Sequence, residues 1–386
     1  MKTSVRKDRK GKWRMKHMEN ESRQNSQIIE SPQDAVLQED LEALVRDGSI
    51  PFDRLHRHTV FVTGATGLLG SQVIKALACS NRINGTDIRI LALVRSREKA
   101  ERIFGTLLER GDIHIVQGDV TQAVACGEKA DYIIHGASAT SSKYFVSNPV
   151  DTILTAINGT VNMLEFARKN QVKGFLYLSS LEVYGTPSAD AGLIGESYSG
   201  YLDPLSVRSS YSEGKRMVEC ICASYASQYQ VPVRIARLSQ TFGAGVEYDD
   251  GRVFAEFARC ALEKKDIVLH TAGRTERSYC YTKDAVAAML LILLNGENGS
   301  AYNVTNMDTR ISIANMAQLV CEIFPDSHIH VQFDMPKDVA SFGYNPEMVI
   351  ALDAAKLMSL GWKPQVGLKD MFLRLAASMQ AGRSTN

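Results

Sequence analysis

Three spaced glycines in the stretch TGATGLLG, residues 63–70, decide the predicted fold of this chain. A run rich in β-branched and aromatic residues, TVFVTG, leads into them, and the helical pattern LLGSQVIKALACS follows. Glycine allows a sharp backbone turn and close approach of a pyrophosphate, and a helix N-terminus supplies N–H groups and a positive dipole end. The strand–turn–helix setting therefore predicts that Gly64, Gly67 and Gly70 form a dinucleotide-binding turn rather than a turn without a ligand.

Strand and helix patterns alternate on both sides of this turn, from His58 to about residue 240. The strand patterns are DIRILALV, DIHIVQGD, ADYIIHGAS and VKGFLYLS. Such alternation predicts an α/β fold, a Rossmann-type doubly wound parallel sheet over residues 58–240. Beyond it the pattern becomes irregular, with loops such as TFGAGVEYDDGR and short strands such as AYNVTN. Residues 241–386 are therefore expected to form mainly a smaller C-terminal substrate-binding lobe.

The N-terminal region divides into two parts. Residues 1–30 are polar and, up to His17, strongly basic, which predicts a disordered tail. A tail that touches RNA or a membrane, or extra residues from an upstream start codon, are the alternatives. Residues 31–57 contain SPQDAVLQEDLEALVRDG, whose apolar residues recur at helical spacing, and they are expected to form a helical extension.

Composition excludes several classes of protein. The chain has 386 residues, 45% of them hydrophobic and 23% charged, and a net charge of +1, which gives no bias toward nucleic acid or membranes. The longest apolar run, Ala285 to Leu294, is shorter than the roughly 20 residues that a spanning helix needs. Seven scattered cysteines favour reduced thiols, and their spacing does not suggest zinc. We expect a cytoplasmic protein with no signal peptide, no metal, no nucleic-acid partner and no membrane partner.

The residues after the second predicted strand bear on the choice of cofactor. An acidic residue there would bind the ribose of NAD, whereas an arginine accommodates the 2′-phosphate of NADP. The sequence reads LALVRSREKAER, so Arg95 and Arg97 favour NADP over NAD, unless both are solvated charges at a helix start. Asp119 follows the third predicted strand, from where a carboxylate could reach the adenine ring.

A tyrosine and a lysine in YSEGK, residues 211–215, are spaced by one helical turn. On a helix Tyr211 and Lys215 share a face. The ammonium is expected to lower the pKa of the phenol and so to make it usable as a base toward a sugar hydroxyl.

With these motifs in place, the sequence resembles the extended short-chain dehydrogenases/reductases, in the branch of nucleotide-sugar epimerases, dehydratases and decarboxylases. The resemblance covers roughly residues 58–380. The motifs that carry it are TGATGLLG, GDV, HGAS, SNPVDTILTAINGTVNMLEFAR, SSLEVYGTP, YSEGKR, VRIARLSQTFGAG, RSYCYTKDAV, AYNVTN and LGWKP.

The resemblance implies roles for particular residues. Tyr211 would be the base, Lys215 would bind the nicotinamide ribose, and Ser180 would contact the substrate hydroxyl, with Glu182 as a fourth catalytic candidate. Arg277 would bind the nucleotide diphosphate, with Ser138 and Gln240 as further substrate contacts. The candidate cofactor-binding residues are Gly64, Thr66, Gly67, Leu68, Leu69, Arg95, Arg97, Asp119, Val120, His135, Gly136, Ala137, Ser179, Tyr211 and Lys215. The family also suggests a homodimer through a helix pair that includes 207–229.

The sequence departs from the family pattern at the positions that select the reaction. Dehydratases of the family carry Asp-Glu and decarboxylases Ser-Glu where this chain has Leu181 and Glu182. Gln240 and Ala244 replace the usual Asn and Pro of RxxNxxGP. Glu182 is either a proton carrier or a carboxylate that is paired with a local base.

Three functions follow from these residues. The first is an NAD(P)-dependent epimerase or dehydratase type of enzyme that acts on a nucleotide-activated sugar through a transient keto intermediate. The second is an NADPH-dependent reductase of a keto-sugar or sugar phosphate, which suits Leu181 and the two arginines. The third is a cofactor-binding scaffold, which the intact Tyr211 and Lys215 disfavour.

Overall fold

A parallel sheet of seven strands lies at the centre of the structure, a computed structural model that describes residues 28–124, 126–188, 190–335 and 347–383. The strand order is β3-β2-β1-β4-β5-β7-β11, and every neighbouring pair is parallel. The order reverses between β1 and β4, as in a doubly wound sheet. The predicted α/β fold of Rossmann type is confirmed. The strands of this sheet are β1, Thr59–Thr63; β2, Arg89–Val94; β3, Ile113–Gln117; β4, Tyr132–His135; β5, Gly174–Ser180; β7, Val233–Leu238; and β11, Ser300–Val304.

Helices cover both faces of the sheet because its strands are apolar on both sides. On one face Val60 and Val62 of β1 pack with the helices α1, α2 and α8, and on the other Phe61 packs with α5 and α6. The helices of the described residues are α1, Ala35–Arg46; α2, Leu68–Asn84; α3, Arg97–Phe104; α4, Ser142–Ser147; α5, Pro149–Asn170; α6, Ser209–Tyr229; α7, Val253–Glu263; α8, Thr282–Asn295; α9, Ile313–Ile323; α10, Ala355–Met358; and α11, Leu368–Arg383.

The glycine turn between β1 and α2 has no room for larger residues. Gly64 has φ +67°, and a Cβ at that position would lie 2.6 Å from the carbonyl carbon of Gly136. Gly70, in the first turn of α2, packs against the turn itself, since a Cβ there would lie 2.2 Å from the Gly64 oxygen. The glycines therefore hold the N-terminus of α2 against the end of β1.

The N-terminal extension packs on the main sheet layer through α1. Asp34 caps this helix by accepting a hydrogen bond from the Leu37 amide, at 3.0 Å. Before it, the buried carboxylate of Glu30 pairs with Arg82 and Arg110, each at 2.8 Å. The predicted helix is confirmed. The predicted basic tail, residues 1–30, lies almost wholly outside the described residues.

A second, smaller sheet forms the core of the C-terminal lobe, with the order β12-β10-β14-β6 and with β8 paired to β10. Its aromatic core includes Phe242, Phe254 and Phe372. The remaining strands are β6, Leu193–Ile194; β8, Gln240–Phe242; β9, Ile267–Leu269; β10, Glu276–Tyr281; β12, Asn306–Ser312; β13, Val331–Phe333; and β14, Val349–Leu352.

The chain returns from the lobe to the main sheet. The prediction that AYNVTN belongs to the lobe is wrong for β11, which pairs in parallel with β7 from Ser300↔Arg234 to Val304↔Leu238. The misassignment arose because β8, β9 and β10 lie between β7 and β11 in the sequence, so that no local pattern links the two paired strands. The predicted boundary between the Rossmann domain and the lobe, at residue 240, stays a prediction. Two elements beyond that residue, α8 and β11, lie on the main sheet.

The long apolar run Ala285 to Leu294 is the interior of α8, whose side chains are almost all buried. It packs against α2 and the strands β5 and β7. Among the described residues we find no helix with the length and apolar character needed to span a bilayer.

Replacing Gly70 with alanine is expected to destabilise the protein. Alanine normally favours a helix over glycine by about 0.5–1 kcal/mol, but here its Cβ would collide with the Gly64 carbonyl. Overpacking of this kind costs about 1–3 kcal/mol, so Gly70→Ala should lower the free energy of unfolding in a denaturant titration. Gly251→Ala is the control, because no atom lies within 4 Å of its Cβ position. Equal stability of the two variants would contradict the close packing of this turn.

Candidate active site

The candidate site lies at the carboxyl edge of the main sheet, where β1, β4, β5 and β7 end side by side. β1 leads into the glycine turn, β4 ends at His135, and β5 ends at Ser180. The helix α6 packs beside β5 and carries the tyrosine and lysine. Ligands of open α/β sheets bind at this edge, close to the point where the strand order reverses.

Tyr211 and Lys215 lie on one face of α6, as predicted. The Lys215 Nζ is 5.7 Å from the centroid of the Tyr211 ring and donates a hydrogen bond to the Leu178 carbonyl at 2.7 Å. Burial lowers the pKa of the Lys215 ammonium to about 8. The ammonium is therefore held close to the Tyr211 ring by a carbonyl of β5 and not by a hydrogen bond to the tyrosine.

The expected effect on Tyr211 is wrong in direction. Burial among protein groups, together with the nearby Glu182 carboxylate, raises the pKa of the Tyr211 phenol. A hydrogen bond with Ser180 and the charge of Arg208 oppose that rise without reversing it. The spacing of Tyr211 and Lys215 reveals the nearby ammonium. It does not reveal the desolvation of the phenol or the carboxylate beside it, which determine the direction of the pKa shift.

Glu182 follows Ser180 in a 3-10 turn, Leu181–Tyr184, and it is paired. Arg208 binds both of its carboxylate oxygens, Nη1 to Oε2 at 3.0 Å and Nη2 to Oε1 at 2.8 Å. Ser212 donates a further hydrogen bond to Oε2 at 2.8 Å. Ser180 begins the turn, and its Oγ accepts from the Glu182 amide at 3.2 Å. The structure therefore brings Ser180, Glu182 and Tyr211 together.

His135 contributes a buried, neutral side chain beneath the site. Burial lowers the pKa of its imidazole to about 3. The Thr160 hydroxyl donates a hydrogen bond to the Ala156 carbonyl, so it accepts one from Nε2 of His135 at 3.1 Å. The other ring nitrogen, Nδ1, then accepts a hydrogen bond from the Thr63 hydroxyl at 2.7 Å. Both ring nitrogens are engaged, and the amides of Gly136 and Ala137 donate to the carbonyl and the hydroxyl of Thr63, each at 3.2 Å. The predicted cofactor contacts of residues 135–137 stay predictions.

A polar network joins the ends of β5, β7 and β11 of the main sheet to α6. The Ser179 hydroxyl donates to Glu219 of α6 at 2.5 Å, and Glu219 pairs with Arg237 of β7 at 2.6 Å. Arg237 donates to the Tyr184 hydroxyl at 2.9 Å, which in turn donates to Asn303 of β11 at 2.5 Å. Because the Ser179 side chain is committed to this network, its predicted cofactor contact falls to its backbone.

The two arginines after β2 have different surroundings. Arg97 pairs with Glu101 one turn along α3, Nε to Oε1 at 3.1 Å. Arg95 is exposed and makes no hydrogen bond or ion pair with any residue that the structure describes. Asp119 accepts hydrogen bonds from the Thr121 amide and hydroxyl, both at 2.8 Å, and this lowers the pKa of its carboxyl. Of the two arginines, Arg95 is the one available to a ligand.

The predicted substrate residues of the lobe lie next to the end of β7. Gln240 begins β8, and its register partner on β10 is Tyr279. Arg277 is two residues earlier on β10, and the register of β10 with β12 shifts between Arg277 and Tyr279. Ser138 is half-buried after β4 and donates to the Ala139 carbonyl at 3.2 Å. Their predicted roles stay predictions.

Residues at this edge fit a dinucleotide. The N-cap of α2 is Gly67, and no described side chain caps the helix there. The amides of the first helical turn, at Leu68 and Leu69, have no partners within a helix. A Cβ at position 64 would fill the space beside Gly136. Thr66 is half-buried at the same turn, and Val120 packs against Gly159. In the described ranges no three His, Cys, Asp or Glu side chains gather as for a metal ion.

Sequence reasoning missed three side chains that complete the site. Arg208 and Ser212 hold Glu182, and Phe145 of α4 stacks on Tyr211 with ring centroids 4.2 Å apart. The sequence does contain a signal for Arg208. It precedes Tyr211 by three residues, so a helix that starts before YSEGK would place the two side chains one turn apart on the same face. Phe145 has no such signal, since it reaches the site only through the packing of α4.

Comparison with known proteins places the chain in one group. Residues 60–305 match the NAD dependent epimerase/dehydratase family. Among similar proteins, UDP-glucuronic acid decarboxylase 6 of Arabidopsis thaliana is 31% identical over 312 residues, 81% of this chain and 85% of that protein. UDP-glucuronic acid decarboxylase 1 of Danio rerio is 29% identical over 316 residues, 81% of this chain and 71% of that protein.

Solved structures share the fold. A UDP-glucose 4-epimerase from Thermotoga maritima superposes with a TM-score of 0.69 at 20% identity, covering 85% of this chain and 99% of that one. A dTDP-glucose 4,6-dehydratase from Streptomyces venezuelae, with NAD bound, gives a TM-score of 0.70 at 20% identity, covering 85% and 98%.

Fold and site together define an enzyme of the extended short-chain dehydrogenase/reductase class, as the sequence predicted. The chain belongs to the NAD dependent epimerase/dehydratase family, and NAD is the cofactor with which that family is described.

Breaking the Glu219–Arg237 pair is expected to destabilise the protein strongly. Both side chains are nearly buried, at 11% and 13% exposure, so Glu219→Leu leaves a guanidinium without its carboxylate. Removing one partner of a buried pair costs about 3–5 kcal/mol, measured as a lower denaturant midpoint. Glu101→Leu, which breaks the exposed pair with Arg97, is the control and should cost less than about 1 kcal/mol. If Glu219→Leu and Glu101→Leu lower the free energy of unfolding by similar amounts, the buried pair does not hold the site together.

Proposed function

We propose that this enzyme oxidises a hydroxyl of a nucleotide-activated sugar to a ketone, alters the keto-sugar at the neighbouring carbon, and then reduces it again. The observation that carries the proposal is the placement of two proton-transfer groups together. Glu182 accepts hydrogen bonds from Arg208 and Ser212, which lie three residues before and one residue after Tyr211, and its carboxylate contributes to the raised pKa of the Tyr211 phenol. Tyr211 accepts the proton of the sugar hydroxyl, and Glu182 transfers a proton at the adjacent carbon.

Each residue has a distinct part in this reaction. Tyr211 takes the proton of the sugar hydroxyl, and Ser180 orients that hydroxyl beside it. Lys215, held by the Leu178 carbonyl, supplies positive charge that favours the phenolate and binds the nicotinamide ribose. Glu182 moves a proton at the carbon next to the ketone. When bound, the nicotinamide accepts and returns hydride. Arg277 binds the nucleotide diphosphate, for which a guanidinium suits two phosphates.

The relatives support a nucleotide sugar as substrate. The names of the decarboxylases specify UDP-glucuronic acid, and those of the superposed structures specify UDP-glucose and dTDP-glucose. Leu181 narrows the reaction. It is 4% exposed and packs with Ile194 and Leu352, so the acid that a dehydratase places there has no counterpart. Leu181 therefore disfavours loss of water, but it also departs from the serine of the decarboxylases and so does not choose between epimerisation and decarboxylation.

A reductase of a keto-sugar or sugar phosphate is the second candidate. It is favoured by Arg95, which is unpaired among the described residues, because a reductase uses NADPH. Leu181 also suits simple hydride transfer, for which Tyr211 alone supplies the proton. A reductase consumes its cofactor stoichiometrically, whereas the first reaction recycles it.

A homodimer and a cytoplasmic location complete the proposal. Apolar side chains on α5 and α6 support a dimer through this helix pair, since Val150 and Leu154 of α5 and Met217 of α6 are 64%, 47% and 51% exposed. Exposed apolar side chains on two packed helices suit a bundle with a second copy.

Glu182→Gln tests the keto-intermediate route with a panel of UDP- and dTDP-linked sugars. Glutamine keeps the size of the side chain but cannot carry a proton, so the reaction should stall after oxidation. Reduced cofactor should then accumulate on the protein in a single turnover, seen by its absorbance. In Tyr211→Phe, the control, no reduced cofactor should form, and turnover should fall by about 10²- to 10⁴-fold. Stoichiometric consumption of NADPH by the wild type, with little effect of Glu182→Gln, would establish the reductase instead.

NADP is expected to bind more tightly than NAD, and Arg95 is expected to be the cause. Charge-assisted contacts to a 2′-phosphate contribute about 1.5–3 kcal/mol. Arg95→Asp should therefore remove a preference of tenfold or more in titrations of both cofactors. Arg97→Asp is the matched control and should change the preference less, because Arg97 is paired with Glu101. Equal affinities of the wild type for the two cofactors would identify Arg95 as a solvated surface residue.

A further inference from the structure

Arg208 lies at the start of α6, three residues before Tyr211, and its side chain contacts two parts of the site. Its Nη1 and Nη2 bind the two oxygens of Glu182 at 3.0 and 2.8 Å. Its guanidinium carbon lies 5.0 Å from the centroid of the Phe145 ring. A planar guanidinium can make both kinds of contact at once, whereas a lysine ammonium cannot.

Phe145 carries the contact on to the catalytic tyrosine. The ring of Phe145 is 2% exposed and stacks on Tyr211 with the planes inclined by only 10°. Phe145 therefore contacts both Arg208 and Tyr211. Aromatic stacking and cation–π contacts both depend on the orientation of the ring, so together they favour one orientation of Phe145 and of the tyrosine stacked on it.

Few other groups compete for Arg208. Its buried Nε has no hydrogen-bond partner within the described part of the chain, which is costly for a donor out of water. The polar contacts of the guanidinium are thus the two to Glu182. A buried arginine kept for the stability of the fold would be expected to bond backbone carbonyls, as Arg216 does with Val183 and Gly200. Arg208 instead bonds a candidate catalytic carboxylate.

We propose that Arg208 is a positioning residue that holds Glu182 directly and Tyr211 through Phe145, so that both proton-transfer groups keep one fixed separation. Ser212 completes the hold on Glu182, with a third hydrogen bond to the carboxylate at 2.8 Å. A carboxylate fixed at three points loses its rotational freedom before the substrate binds. Displacement of a catalytic group by about 1 Å can lower the rate by about 10²-fold. The expected loss of rate rests on the proposed function, whereas the expected positions of Glu182 and Tyr211 do not.

The kinetic test compares Arg208→Met and Arg208→Lys with the wild type, on a nucleotide sugar of the panel that the wild type converts. Arg208→Met should lower kcat by about 10²-fold, with KM and cofactor affinity changed by less than about threefold. Arg208→Lys should recover less than a tenth of the loss, because an ammonium cannot bind both oxygens and stack on the ring. In Arg208→Met/Glu182→Gln, the two losses of turnover should be less than additive, since the arginine acts in part through the glutamate.

The control variant is Arg168→Met, at a similar cluster far from the site. Arg168 pairs with Glu165 at 2.8 Å and lies 4.7 Å from the centroid of the Tyr229 ring. Its loss should leave kcat unchanged. The proposal is overturned by additive losses in the double variant, by full rescue with lysine, or by an equal loss of kcat in Arg168→Met.

A structural test separates failure of this inference from failure of the proposed function. In a crystal structure of Arg208→Met, the Glu182 carboxylate should leave its position and the ring planes of Phe145 and Tyr211 should no longer be parallel. If both groups stay in place, Arg208 does not position them, whatever reaction the enzyme performs. If they move and no nucleotide sugar is converted by the wild type, the positioning role stands and the proposed function fails.

Discussion

The site depends on a buried ion pair between Glu219 of α6 and Arg237 of β7. Desolvation of two charges is unfavourable unless hydrogen bonds satisfy what remains of them, and here Ser179 and Tyr184 provide those bonds. The pair, together with the Ser179 hydrogen bond, fixes α6 against β5 and β7, whose ends flank the site. Because α6 carries Tyr211 and Lys215, the positions of both residues relative to β5 depend on an ion pair about one helical turn beyond Lys215 and about two turns beyond Tyr211.

Electrostatics at the site oppose the chemistry that the residue types suggest. The surroundings of Tyr211 keep its phenol protonated, since burial and Glu182 both disfavour a phenolate. Positive charge must offset this before the oxygen can accept a proton. Lys215 lies 5.7 Å from the ring, and Arg208 already lowers the pKa of the phenol. The protein therefore balances one carboxylate against two cations over a few ångströms, where each interaction is strong because water is largely excluded.

Local patterns predicted the sheet, the glycine turn and the shared face of Tyr211 and Lys215, because each depends on residues close in sequence. The interactions that escaped prediction join distant segments. Phe145 meets Tyr211 across 66 positions of the printed sequence, and β11 meets β7 only after the chain has formed part of the lobe. The raised pKa of Tyr211 escaped for a related reason, since desolvation depends on everything packed around a group. Spacing along a helix reveals neighbours, but not the medium that surrounds them.

The return of the chain to β11 gives the part of the C-terminal lobe that follows β7 three covalent connections to the main sheet and its helices. They run from β7 into β8, from β10 into α8, and from β11 into β12. Exchange of this part of the lobe between relatives by recombination consequently requires three crossovers, one near each connection. A single crossover after β7 would import a foreign edge strand together with the foreign lobe, and that strand would have to match both β7 and the Asn303 contact to Tyr184. Inheritance of the lobe is thus linked to inheritance of a strand of the main sheet.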